Sequence, residues 1–160
     1  MRKTKITLPV IMIAVTILLT ACGRPPVNMD ELSEDDSYHY RNADLGFSLV
    51  LPSEFVYYQT QRTGDRSSDY IDLDIFVPTS DTAYPQAVPG YANPIKVRIF
   101  AVEGWDEILE GMEDGTTYLK LGEKGGRVYT VRFWDGAPSD WSEKWNDEMK
   151  QEIIGGFRIE

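Results

Sequence analysis

Tyr70-Ile-Asp-Leu-Asp-Ile-Phe-Val77 alternates without a break: Ile71, Leu73, Ile75 and Val77 share one face, and Asp72, Asp74 and Phe76 share the other. A period of two marks a strand with one side on a core and the other toward water. The pattern recurs outward from there. Pro94 to Val102 puts Ile95, Val97, Ile99 and Ala101 inward and Lys96 and Arg98 outward. Upstream, Gly46-Phe-Ser-Leu-Val-Leu-Pro52 reads as a strand stopped by proline, and Phe55 to Arg62 as a weaker one with Val56, Tyr58 and Thr60 on one face. A turn at Gly64-Asp-Arg-Ser-Ser68 leads into Tyr70. Downstream, Thr117–Leu121 and Arg127–Trp134 read as a hairpin across Gly122-Glu-Lys-Gly-Gly126, and Phe157-Arg-Ile-Glu160 as a last short strand.

Two stretches carry helical spacing. From Gly104 to Asp114, Trp105, Ile108, Leu109 and Met112 fall on one face, and Gly115 ends the run. The second begins at Ser139 as N-cap, with Asp140 and Glu143 in the first turn. Trp141, Trp145, Met149 and Ile153 line its inner face, and Gly155-Gly156 stops it. The tryptophans at this spacing read as core. The order β-β-β-β-α-β-β-α-β predicts an α+β fold, an antiparallel β-sheet packed with two amphipathic helices. At 160 residues, with 42% hydrophobic and 26% charged side chains, the chain fits one globular domain and shows no internal repeat.

Tyr40-Arg-Asn-x-x-x-Gly46-Phe-Ser-Leu-x-x-Pro52, followed by an aromatic-rich strand, resembles the opening of PsbP-like and Mog1-like domains. The amphipathic helix leading into Ile153-Ile-Gly-Gly-Phe157 is similar to their ending. The resemblance covers residues 39–160 in element order. It implies an α/β/α sandwich around an antiparallel sheet and a binding or assembly-assisting role rather than catalysis. The proline-rich insertion after Val77 has no counterpart in that pattern.

The first residues read as an address. Arg2, Lys3 and Lys5 precede an apolar run from Ile6 to Leu19, followed by Leu19-Thr20-Ala21-Cys22. A basic patch, a short apolar stretch and a small-residue cleavage site describe a secretory signal peptide, too short for an ordinary membrane span of about 20 residues. Leu-Thr-Ala-Cys resembles the lipobox of bacterial lipoproteins. That resemblance implies cleavage after Ala21, so that residues 1–21 are a signal peptide, and a diacylglyceryl group on Cys22, the single cysteine of the chain. Two acyl chains anchor stably, at about 0.8 kcal/mol per buried CH2. The alternatives are an ordinary signal peptide with an incidental cysteine and a retained transmembrane anchor.

Residues 22–38, with Pro25, Pro26 and five carboxylates, read as an acidic flexible tether. As a coil it spans about 20 Å, and extended about 50 Å. Without the leader, carboxylates outnumber basic groups two to one, so the body is repelled by anionic lipid and the acyl chains carry the anchoring. The expected location is the cell membrane or outer membrane, facing outside the cytoplasm; Gly23 in place of Asp leans toward an outer membrane in a host that has one. The acidic balance argues against nucleic acid as a partner.

The chain lacks Gly-x-Ser-x-Gly, a phosphate loop and His-Glu-x-x-His, and carries a single His, His39, beside Tyr38 and Tyr40, which reads as a surface or packing residue. No cofactor and no enzymatic activity are expected. Asp65, Asp69, Asp72 and Asp74 suggest a hard cation, since Ca2+ takes oxygen ligands, but their spacing is not that of an EF-hand. The competing reading pairs Asp72 and Asp74 with Lys96 and Arg98 on the neighbouring strand. Asp72-Leu-Asp74 also matches the short Asp-x-Asp of some sugar-nucleotide transferases, in a domain too small for one. The stretch from Pro78 to Pro94, with Pro85, Pro89, Tyr84 and Tyr91, is long for a loop and offers rigid amphipathic contacts. It is the expected lip for a partner, with Tyr84 and Tyr91 as contact residues; an inert, partly disordered insertion is the alternative. The leading functional expectation is a non-enzymatic, lipid-anchored envelope protein that binds another protein or supports assembly at the cell surface. The second is a small-ligand or cation-binding lipoprotein, and the third a hydrolase with unrecognised residues.

Overall fold

A computed structural model of the chain describes residues 31–64, 68–105 and 118–160. Eight strands form two antiparallel sheets. β1 (Ser37–Asn42), β2 (Phe47–Pro52) and β8 (Arg158–Ile159) make a three-stranded sheet in the order β1-β2-β8. β3 (Gln59–Thr63), β4 (Tyr70–Pro78), β5 (Tyr91–Ala101), β6 (Leu119–Lys124) and β7 (Arg127–Phe133) make a five-stranded sheet in the order β3-β4-β5-β7-β6. One short helix, α1 (Asp147–Gly156), completes the elements of this mostly-β, coarsely α+β protein among the described residues.

The alternation in β4 and β5 does what the sequence predicts. Ile71, Leu73, Ile75, Val77, Ile95, Val97 and Ile99 are all buried and meet Phe47, Leu49, Leu51, Ile153 and Phe157 in one core. Each such apolar side chain contributes about 1.5–3 kcal/mol when removed from water. Phe47 is the hub of an aromatic group, stacked on Phe157 at 5.2 Å and edge-on to Tyr129 at 6.4 Å. The sheets are also joined by a polar bond, Tyr129 Oη donating to Leu45 O at 2.9 Å. Gly46 follows Leu45 at φ +74° and would place a Cβ 3.3 Å from that hydroxyl, so the tie needs a glycine there.

Several expectations change. The single sheet is two, because β8 returns to β2 (Phe47 opposite Ile159) rather than to the β4–β5 ladder. β1 begins at Ser37, and Ser37 and Tyr38 are buried, so these two residues belong to the folded domain and not to the expected tether. The continuous strand from Phe55 to Arg62 is broken. Ser53–Phe55 is a 3-10 turn, Tyr57 turns the chain at φ 58° with 79% of its surface exposed, and only Gln59–Thr63 pairs with β4. The second helix does not begin at Ser139. Asn146 is its N-cap, accepting from Met149 N, while the stretch from Ser139 to Lys144 forms turns held by distant contacts, among them Ser139 N to Asp81. Of the first expected helix only Gly104, which closes the 3-10 turn Val102–Gly104, and Trp105, buried on Phe100 and Val128, are described; the rest of it lies outside the described residues.

The loop after β4 is shorter than the prolines suggest. β5 starts at Tyr91 and runs through Pro94. Between the pairs Ile75–Ile95 and Val77–Ala92, Phe76 stands opposite both Asn93 and Pro94. A bulge of this kind asks no ladder donor of the extra residue, which is why proline is tolerated inside this central strand.

Candidate functional site

The outward face of the five-stranded sheet carries a row of polar side chains set by register. Gln61 lies opposite Asp74, Asp74 opposite Lys96, and Lys96 opposite Arg132. The row runs across four strands, β3 to β7. Beside it the chain builds a trough of about 470 Å3, floored by Phe76 and edged by Tyr84 and Ala87 from the loop after β4 and by Trp134, Asp135 and Gly136 from the end of β7. That is the size of small-molecule sites, about 300–1,000 Å3.

The lip is an ordered loop, not a partly disordered insertion. Asp140 accepts from Thr79 Oγ1 at 2.8 Å and from Ser80 N at 2.8 Å. Asp81 accepts from Ala83 N and Ser139 N, both at 2.9 Å. Gln86 donates to Asp81 O and accepts from Gly90 N, and Trp141 Nε1 donates to Pro78 O. Burial raises the Asp140 carboxyl, but the bonds from Ser80 and Thr79 outweigh it and leave the group below its ordinary value. The amide of Ser139 is the main cause that lowers Asp81.

Of the two expected contact residues, Tyr84 lines the trough. Its hydroxyl donates to Gly136 O at 3.2 Å, and its ring meets Trp134 at 6.2 Å and 65°. Burial, and then the Asp135 carboxylate, hold the phenol above its ordinary value, so the donor is kept. Tyr91 does not line the trough; it sits over the β3 edge, accepting from Gln59 Nε2 at 2.9 Å. Among the described residues, Trp134 and Trp145 each bury an indole N–H without an acceptor; the two rings meet edge to face at 5.1 Å, a contact whose π-face offers a weak substitute.

The acidic candidates are paired rather than clustered. Asp72 takes two bonds from Arg98, at 2.6 and 2.7 Å, and one from Lys96 at 3.1 Å. Asp74 takes Lys96 at 3.0 Å and Asn93 Nδ2 at 2.8 Å. Burial pushes Asp72 upward, yet the Arg98 and Lys96 bonds more than reverse it, and its carboxyl ends below the ordinary value. For Lys96 and Arg98 burial acts downward and their carboxylate partners prevail, so both end raised. Asp69 lies apart, in a shallow depression with Tyr70 and Arg127. Asp65 and Cys22 lie outside the described residues. Among the described residues no group of three His, Cys, Asp or Glu side chains is placed to hold a metal, and no helix is long and apolar enough to cross a membrane.

One constellation was not visible in the sequence. Asp35 and Ser37 lie beside His39, Asp35 Oδ2 at 3.0 Å and Ser37 Oγ at 3.1 Å, and both contact the same nitrogen, Nε2. Ser37 Oγ donates to Asp35 Oδ1 at 2.7 Å. A nucleophilic triad places serine and carboxylate on opposite ring nitrogens, so that the imidazole takes the serine proton while the acid steadies it. Here the serine gives its hydrogen to the carboxylate directly, and the arrangement ties β1 to Asp35 just before it. Its main effect on Asp35 is to lower the carboxyl, through the Ser37 bond first.

Comparison with known proteins adds no relative: no family model matches the chain, and neither curated proteins nor solved structures give a match. The trough's chemistry therefore stands on its own geometry. Sequence reasoning reached Tyr84 and the Asp74–Lys96 pairing. It missed Gln61 and Arg132, which face outward on strands of unknown register, Asn93, which fell inside the stretch read as a loop, and Trp134, which lies just past the end of β7.

Proposed function

We propose that this chain is a non-enzymatic, lipid-anchored binding protein of the cell envelope that presents the trough edged by Tyr84 to its target. The anchor reading rests on Leu19-Thr20-Ala21-Cys22, with the lipid on Cys22 and the acidic tether before Ser37 holding the domain off the bilayer. The observation that carries the binding reading is the preformed trough of about 470 Å3, whose lip is pinned by Asp81 and Asp140. A pinned lip has lost its conformational entropy before the target arrives, which favours binding. Concavity favours a small ligand, the second of the sequence-based expectations, over contact with a flat protein surface.

The lining of the trough holds amides, ion pairs and aromatic rings, with the Asp74 carboxylate and the Lys96 ammonium committed to each other, which suits the binding reading. The opening signature from Tyr40 to Pro52 and the Ile153–Phe157 ending support a PsbP-like or Mog1-like parent architecture, in which helices cover an antiparallel sheet. The compartment that fits is the outer leaflet of the cell membrane or an outer membrane, facing away from the cytoplasm.

Fractionation of cells expressing the full chain tests the anchor. The native protein is expected in the membrane fraction with a diacylated Cys22 by mass spectrometry, and Cys22→Ser in the soluble fraction. An unmodified thiol, or Cys22→Ser still sedimenting with membranes, overturns the lipoprotein reading. A photo-crosslinker at position 84 tests the trough: labelling of an envelope component in intact cells supports it, and recovery of the bait alone removes it.

A further inference from the structure

We propose that the trough is a subsite for a neutral, hydroxyl-rich oligosaccharide; this rests on the reading of the trough as a binding site and names its ligand class. Charge comes first. Lys96 is held by Asp72 and Asp74, and Arg132 by Asp135 at 3.1 Å, so each cation facing the trough already has its anion. An anionic ligand at Lys96 would have to displace Asp72 or Asp74 and leave a part-buried charge without its partner, which is costly, whereas the exposed Arg132–Asp135 pair adds little to this discrimination. A neutral ligand leaves them intact.

The second argument is the supply of hydrogen bonds. The Gln61 side chain makes no hydrogen bond among the described residues, and Asn93 commits only an N–H, to Asp74, leaving its carbonyl oxygen open. A carboxamide offers both donor and acceptor, as does each sugar hydroxyl, so neighbouring hydroxyls are satisfied in both senses. Arg132 gives Asp135 a bond from one nitrogen only, so the guanidinium keeps further N–H donors.

The third argument is shape. Tyr84 and Trp134 form a half-exposed corner over Phe76, and the Tyr84 ring is oriented by its bond to Gly136 O. The electron-rich face of an aromatic ring attracts the slightly positive C–H face of a pyranose. The row from Gln61 to Arg132 is about 14 Å long at the ordinary strand spacing and lies across the strands. An extended peptide gains its backbone bonds by lying along a strand edge. A trough that crosses four strands offers no such ladder, and suits a chain of rigid units instead.

The test uses the full chain, lipidated and held in phosphatidylcholine nanodiscs free of sugar-based detergent. It is applied to a glycan array and then titrated calorimetrically with maltotriose, cellotriose and chitotriose. Retention on neutral glycans and saturable heat with at least one trisaccharide are expected. Tyr84→Ala and Gln61→Ala are expected to weaken binding about tenfold or more, whereas Tyr84→Phe, which keeps the ring, costs less. Tyr57→Ala, outside the trough, leaves the affinity unchanged. Thermal melts of each variant separate lost binding from lost folding. Retention only on sulfated or phosphorylated glycans, with the same dependence on Tyr84, overturns the neutral-saccharide assignment while keeping the trough as a binding site. No retention on any glycan and no labelling from position 84 overturn both.

Discussion

Arg98 grips Asp72 with two prongs across neighbouring strands, Nε to Oδ1 at 2.6 Å and Nη2 to Oδ2 at 2.7 Å. The guanidinium lies between two rings, 3.8 Å from the Tyr70 centroid and 4.9 Å from that of Tyr118. The pair therefore sits inside an aromatic collar, where charge is poorly solvated and each member depends on the other. Asp72→Ala is expected to cost about 3 kcal/mol, because it leaves Arg98 without its main partner in a half-buried site. Arg98→Ala removes stem packing as well as charge and costs at least as much. The double variant is expected to cost clearly less than the sum of the two, as read from urea unfolding at neutral pH. Strict additivity would mean that the two residues do not act as a unit.

The same carboxylate sets an acid limit. The Asp72 carboxyl lies below its ordinary value of 3.8 in the folded protein, and the Asp140 and Asp81 carboxyls lie below theirs. A group depressed on folding contributes stability that is complete above its unfolded value and is lost as pH falls through the folded one. Stability is thus expected to hold from neutral pH to about pH 4 and to decline below it. Asp72→Asn should lower the plateau and flatten the acidic decline, seen as a shallower dependence of the urea midpoint on pH. An unchanged acid slope in that variant would assign the decline to other carboxylates.

Much of the core was legible, and the reasons are specific. Ile71 to Val77 and Ile95 to Ile99 declare their faces by alternation, and alternation is a local property. Lys96 and Arg98 were placed outward by the same rule, and their pairing with Asp72 and Asp74 follows once β4 and β5 are neighbours. β3 could not be read this way: all of its residues are exposed, so no face is marked by apolar side chains. Ser139-Asp140 has the composition of a helix start, but Asp140 spends its carboxylate on Thr79 and Ser80, some sixty positions earlier. No local pattern records such a bond. The trough was hidden for a related reason: Gln61, Asp74, Lys96 and Arg132 become neighbours only through the registers of three strand pairs.

The dependence of the lip on Asp140 gives a local test. Asp140→Ala removes the acceptor of Thr79 and Ser80 and is expected to cost about 1 kcal/mol, the ordinary net worth of such bonds at an exposed site. The larger effect should be local. Amide exchange at Ser80, Ala83 and Tyr84 is expected to quicken while the β4–β5 amides keep their protection. Equal loss of protection in both places would show that the loop has no stability of its own and opens only with the whole domain.

Adjacent glycines at the end of α1 should respond in opposite directions. A Cβ on Gly156 would stand 2.7 Å from Val50 Cβ and 3.2 Å from Val50 N, while one on Gly155 meets nothing within 4 Å. The obstacle at Gly156 is backbone and the first side-chain carbon of β2, neither of which can swing away. The helix must instead lift from the sheet, drawing Ile153 and Phe157 out of the core they share with Leu49. Gly156→Ala is accordingly expected to destabilise by about 1–3 kcal/mol, the usual penalty of overpacking. Gly155→Ala meets no obstacle and restricts the unfolded chain, so it should stabilise by about 0.4–1 kcal/mol. Chemical denaturation of the two variants side by side checks this, and a Gly156→Ala protein as stable as the parent would show that α1 does not bear on β2 at that point.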